Sequence, residues 1–213
     1  MPHAARCSFR KKLPTDRLRP VRVAQGQRGP VRHVRDLCVG ALMSAAVTEA
    51  PSPATVDQLI AYLEELGIDT STVEHPAVFT VEEARRLRGN LPGAHSKSLF
   101  LRNKKGRMWL VVTLEDRDID LKDLGDRLGA GRFSFGSADR LMRYLGVIPG
   151  AVTPFAAIND REKVVTIALD RELLDVEPLN FHPLDNTKTT AISADSLLRF
   201  LEATGHTPEL LSF

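Results

Sequence analysis

The stretch GNLPGAHSKSLFLR, residues 89–102, joins a glycine and proline loop to an apolar strand and delivers one lysine, Lys97, onto that strand. Leu99 and Leu101 alternate with Ser98, Phe100 and Arg102, the period-two pattern of a strand that buries one face. A strand beginning near Lys97 holds the ammonium at its open end, where it can serve a site.

The elements around this stretch set the fold class. Downstream, residues 103–106 read as a turn and 107–114 as a second strand carrying the only tryptophan, Trp109, so NKKG joins two strands of a hairpin. Asp120 caps a helix through Leu128, broken by Gly129 and Gly131, and Ser137 caps another through Leu145, closed by Gly146. Residues 152–158 and 163–169 read as strands around the turn N-D-R-E, a second hairpin. Residues 189–192 form a short strand, Ser193 caps a helix ending near Gly205, and 209–213 form a terminal strand. Upstream, Leu59, Ile60, Leu63 and Leu66 recur at helical spacing before Gly67, which predicts a helix over 55–66. Residues 70–75 read as a strand ended by Pro76, and Thr80 with Glu83 opens a helix to about Arg88 through a capping box. Hairpins mixed with helices, and no regular βαβ repeat, predict an α+β single domain: a mixed, largely antiparallel sheet flanked by helices.

At 213 residues the chain accommodates one such domain plus an appendage. Charge divides it the same way. Residues 1–42 hold ten Arg or Lys against Asp16 and Asp36, a net +8, and the rest nets −6. The basic part lacks a sustained apolar period and reads as a disordered extension over 1–50, with the domain over 51–213. Three readings of the extension stand side by side: a nucleic-acid-binding arm, an organelle-targeting segment, or residues upstream of a true start at Met43. Both cysteines, Cys7 and Cys38, lie within it, so the domain has no thiol for a disulfide, a nucleophile or a metal. No apolar run approaches the roughly 20 residues needed to span a bilayer. A soluble cytoplasmic protein without membrane contact is the expectation.

The domain also lacks the common hydrolytic motifs. It has no G-x-S-x-G elbow and no H-E-x-x-H, and His75, His95, His182 and His206 are scattered, so chemistry without metal, cofactor or covalent intermediate is expected. The remaining candidates are Lys97, His182, the loops Pro92-Gly93 and Pro149-Gly150, and the polar group Asn186, Thr189 and Thr190. Glycine loops let backbone N–H groups approach a developing oxyanion closely. Each candidate also has a plainer reading. A lysine is ordinarily a solvated charge, a lone histidine ordinarily structural, and the two threonines suit any strand.

Three segments in order, GNLPGAHSKSLFLR at 89–102, SFGSADRLMRYLGVIPGAVTPFAAIND at 134–160 and NFHPLDNTKTTAIS at 180–193, resemble the YbaK and prolyl-tRNA-synthetase-associated editing family, and the likeness runs from about Thr55 to Phe213. The resemblance implies a trans-acting deacylase that hydrolyses the ester of mischarged tRNA, alanyl-tRNA for proline first, with cysteinyl or seryl esters as the alternative. From another class, a non-catalytic tRNA-binding module is the competing reading. The resemblance makes Lys97 the essential residue, sets His182 in the wall of the aminoacyl pocket, and gives Gly93, Pro149, Gly150, Asn186 and Thr189 pocket positions. Ser98 stands where the family has asparagine, with a shorter reach and fewer donors. Arg102 and Arg132 become candidates for the tRNA acceptor stem, beside their ordinary reading as solvated charges. The implied partners are mischarged tRNA and, behind it, prolyl-tRNA synthetase.

Overall fold

The computed structural model describes residues 52–77 and 92–213, all within one compact unit. The expected extension over 1–50 and the helix opened by Thr80 and Glu83 lie outside the described residues. Helix α1, Val56–Glu65, begins at Thr55, whose hydroxyl accepts from the Gln58 backbone while the Gln58 side chain accepts from the Thr55 N–H. That reciprocal capping box satisfies two donors of the first turn and fixes where the helix starts. Leu59 and Leu63, one turn apart, are its fully buried face. The later caps act as their side chains predict. Asp120 opens α2, Leu121–Arg127; Ser137 opens α3, Ala138–Leu145, which ends at Gly146 with φ +64°; Ser193 opens α4, Ala194–Ala203.

The strands are β1, Ser71–Glu74; β2, Ala94–Asn103; β3, Met108–Leu114; β4, Phe133–Phe135; β5, Val165–Asp170; β6, Leu179–Phe181; β7, Lys188–Ile192; and β8, Glu209–Leu211. They form one mixed sheet in the order β1-β7-β6-β2-β3-β5-β8, with β4 also on β2. The pairings β1–β7, β6–β7, β2–β3 and β2–β4 are antiparallel, and β2–β6, β3–β5 and β5–β8 are parallel. With helices against it, this is the α+β arrangement expected, although antiparallel pairs lead by only one.

Both faces of the central strands are covered. Phe100, Leu110, Val112, Ile167 and Leu169 join a large core with Leu59, Leu63, Phe155, Leu197 and Phe200. The alternate residues Leu101, Trp109, Val111 and Ala168 pack with Leu124, Phe133 and Leu211 in a smaller one. Trp109 meets Phe133 edge-on at 5.0 Å, with Arg107 stacked 5.1 Å above the Trp109 ring. The expectation that β2 buries a single face is thus corrected. Its start is corrected too: the strand begins three residues before Lys97, because Ala94 and His95 pair with Leu179 and Asn180 of β6.

The second predicted hairpin does not form. Residues Pro154–Asn159 make a 3-10 helix, with the Thr153 hydroxyl accepting from the Phe155 N–H. Pro154 has no N–H for a strand ladder but tolerates the first turn of a helix. β5 pairs parallel with β3 and β8 instead of folding back on this segment.

Candidate functional site

Lys97 is the fourth residue of β2, level with buried Thr113 on β3. It is half-buried, and its ammonium donates to the backbone carbonyl of Arg117. Strand alternation places it on the face of Leu99 and Leu101. Arg117 is itself pinned. Its Nε donates to Asp170 Oδ2 at 2.9 Å, and its Nη2 lies 2.7 Å from Glu172 Oε2. Pairing with Glu172, and then with Asp170, holds the guanidinium above its ordinary pKa against the opposing pull of burial. The Asp170 side chain is fully buried and also accepts from the backbone N–H groups of Leu114 and Glu172. Sequence reading missed this support. A carboxylate ending the apolar run VVTIAL is its one sequence signal; Arg117, in EDRD, looks like any solvated residue.

β2 and β6 share only two paired positions before they part. Lys97 lies two residues past the paired His95, and His182 two residues past the paired Asn180, so the two follow the same end of the β2–β6 pairing. His182 is half-buried, and its Nδ1 lies 2.8 Å from the Lys188 carbonyl, so Nδ1 carries the proton and donates. Burial lowers the His182 pKa, and the bond to Lys188 only partly opposes it. The ring is therefore neutral near pH 7, with Nε2 as its acceptor nitrogen. His75 packs against it at 5.8 Å between ring centres, with Nδ1 2.8 Å from the Pro76 carbonyl and Nε2 2.9 Å from the Thr189 hydroxyl. Thr189 thus orients His75, a residue sequence reasoning did not place in the site. Thr190 is buried and bonds Thr72 at 2.8 Å, a link between strands.

Gly93 has φ +102°, and a Cβ there would run into the Pro178 carbonyl and the Asn180 amide. Asn180 explains the close approach. Its Nδ2 donates to Pro92 O at 3.0 Å and Ala94 O at 3.3 Å, tying the Pro92-Gly93 loop to β6. The loop's glycine is therefore required by packing as well as by φ. Gly93→Ala is expected to cost roughly 3 kcal/mol from strain and displaced backbone, lowering the melting temperature by about 6–12 °C. A thermal melt within a degree of the unaltered protein would refute that account.

Gly150 has φ +94°, and with exposed Pro149 it forms the second loop. Ile148 and Ala151 flank that loop and line a groove of about 430 Å3 together with buried Asn186 and exposed Met142. Lys97 and His182 do not line this groove. The structure therefore sets Asn186 in a groove whose lining flanks the Pro149-Gly150 loop, and puts Lys97 and His182 each two residues past the β2–β6 pairing. Ser98 is not on Lys97's side: it shares the face of Phe100, opposite Val112. Arg102 is half-buried at the other end of β2, opposite Met108 and Ser134. Exposed Arg132 adjoins the same end, just before Phe133, the partner of Asn103. Five residues at about 3.4 Å each separate Arg102 from Lys97 by roughly 17 Å. Among the described residues, no group of three or more His, Cys, Asp or Glu is arranged to hold a metal ion.

Residues 75–200 match the aminoacyl-tRNA editing domain model. The chain is 43% identical over 175 residues to the zebrafish (Danio rerio) prolyl-tRNA synthetase associated domain-containing protein 1, covering 79% of this chain and 95% of the relative. It is 39% identical to the prolyl-tRNA editing protein ProX of Acetoanaerobium sticklandii, over 70% of this chain and 92% of the relative. A more distant likeness, 29% identical, is to the multifunctional Ser/Thr-tRNA deacylase ProXp-y of Escherichia coli, over 77% of this chain and 95% of that one. A solved structure described as a candidate trans-editing enzyme for prolyl tRNA synthetase shares the fold, with a TM-score of 0.57 at 22% identity over 75% of this chain and 98% of its own.

Proposed function

Because the chain belongs to the aminoacyl-tRNA editing domain family, we propose that it is a trans-acting deacylase that hydrolyses the ester of mischarged tRNA, alanyl-tRNA for proline above all. The physical need for such an enzyme is clear. A synthetase pocket shaped for proline cannot exclude alanine sterically, and each missing methylene costs only about 1–3 kcal/mol of discrimination. A second pocket too small for the proline ring admits alanine and rejects the cognate product.

The observation that carries the reading is the anchored ammonium of Lys97, held on the Arg117 carbonyl. In the proposed mechanism this charge lies beside the ester or the terminal phosphate. Water attacks the ester carbonyl, helped by the vicinal 2′-hydroxyl of the terminal ribose. Loop N–H groups stabilise the tetrahedral oxyanion, which collapses to release the amino acid and the ribose hydroxyl. Neutral His182 forms a wall that sets the pocket's size. The pocket positions proposed with it are Gly93, Pro149, Gly150, Asn186 and Thr189.

The test is single-turnover deacylation of alanyl-tRNA for proline beside correctly charged prolyl-tRNA. Loss of alanine alone supports the reading. Turnover only of seryl or threonyl esters would move the specificity toward that named for the Escherichia coli relative, and binding without turnover of any ester would favour a non-catalytic tRNA module. His182→Ala enlarges the pocket. It is expected to reduce the preference for alanyl over prolyl ester by about tenfold, on the scale of one methylene-sized contact. An unchanged ratio would remove His182 from the wall.

A further inference from the structure

A second groove, of about 710 Å3, lies between the β2–β3 turn and α3. Lys105, Arg107, Arg143 and Arg161 line it, and among the described residues none of these four cations forms an ion pair. Arg107 and Arg143 instead stack on the rings of Trp109 and Tyr144. Two acids also line the groove. Asp160 is buried, and its carboxylate accepts from Val164 N–H, Val165 N–H and His206, so its charge is engaged inward; Glu162 is exposed. The net field is positive in a chain segment that is otherwise acidic. Cations without ion-pair partners along one groove are the composition that receives a nucleic-acid backbone, positive charges for its phosphates.

The position fits as well. Met142 and Gly146 line both this groove and the one that carries Ile148, Ala151 and Asn186, so the two adjoin. Lys105 lies within the β2–β3 turn and Arg107 just before β3, three and five residues past Arg102 in sequence and beyond the end of the strand that carries Lys97. The strand run from Lys97 to Asn103 spans roughly 20 Å, a distance that a few nucleotides of single-stranded RNA cover. We propose that this groove binds the phosphate backbone of tRNA just inward of its reacting 3′ end, with the Arg143–Tyr144 stack as one wall. The assignment rests on the deacylase reading for the identity of the RNA, but its test does not depend on turnover.

The experiment is fluorescence anisotropy of 5′-labelled, uncharged proline tRNA with the full-length protein across a salt series. The triple variant Lys105→Glu, Arg143→Glu, Arg161→Glu is expected to bind at least tenfold more weakly at low salt. Its plot of log affinity against log salt should be shallower by about 2, since each lost phosphate contact removes about 0.7–0.9. The neutral triple, with glutamine at the same three positions, should show a smaller loss and a similar change of slope. It replaces the charge-reversed variant if that one melts early. Arg171→Glu, an exposed cation outside both grooves, should change affinity less than twofold. In deacylation the triple should raise KM and leave kcat in place. Binding by both triples no weaker than by Arg171→Glu would overturn the assignment, while leaving the deacylase reading untouched. Absence of turnover with groove-dependent binding would do the reverse.

Discussion

Lys97→Ala is expected to lower kcat for alanyl-tRNA hydrolysis by about 10²–10³-fold, the usual cost of removing one group that stabilises a developing charge. The fold should survive. The side chain gives up one bond to the Arg117 carbonyl, worth about 1 kcal/mol, or about 2–4 °C of melting temperature for a domain of this size. Lys97→Arg separates charge from position. Arginine keeps the cation but spreads it over a planar fork that does not fit a point contact, so most of the loss should remain. Single-turnover rates with near wild-type activity in Lys97→Ala would remove the lysine from the mechanism.

Asp170→Ala is the substitution expected to damage the fold most while lying outside the proposed pocket. The Asp170 side chain is fully buried, pairs with Arg117 and accepts from Leu114 and Glu172 N–H. Removing one partner of a buried ion pair costs about 3–5 kcal/mol. Here the lower end applies, because Arg117 keeps Glu172 and is itself 17% exposed. The melting temperature should fall by roughly 6–12 °C. Activity should fall with it even well below the melt, because the carbonyl that holds Lys97 belongs to Arg117. Asp170→Asn keeps the shape and one acceptor, so it should lie between. A melting temperature unchanged in Asp170→Ala would refute the anchoring role.

What the sequence disclosed was mainly local. Thr55, Asp120, Ser137 and Ser193 each mark a helix start because a cap is decided within three residues. The β2–β3 hairpin was legible because a short turn joins two apolar runs. Strands of three residues, such as β4 and β6, carry too little pattern to be seen, and β6 is bracketed by Pro178 and Pro183. Residues 154–159 misled because Phe155 and Ile158 suit a strand while Pro154 forbids a central one. Parallel pairing of β5 with β3 leaves no signal in either segment alone. The site divides in the same way. Lys97 and His182 were singled out through motifs, whereas the Arg117–Asp170 pair spans 53 positions and the His75–Thr189 pair spans 114, distances over which no local pattern speaks. Ser98 shows the converse: adjacency to Lys97 in sequence sends it to the opposite face of the strand.

The sheet order also sets when, during synthesis, the site can first exist. β1 finds its partner only in β7, and His182 finds the carbonyl that fixes its tautomer only at Lys188. A nascent chain that has released Lys97 through Phe181 from the ribosome holds the cation without His182, without the Thr189 hydroxyl that turns His75, and without β7 and the edge strand β8. Such late, long-range pairings are the slow part of folding. On the mechanism proposed above, a centre assembled this way is inert until nearly the whole polypeptide has emerged.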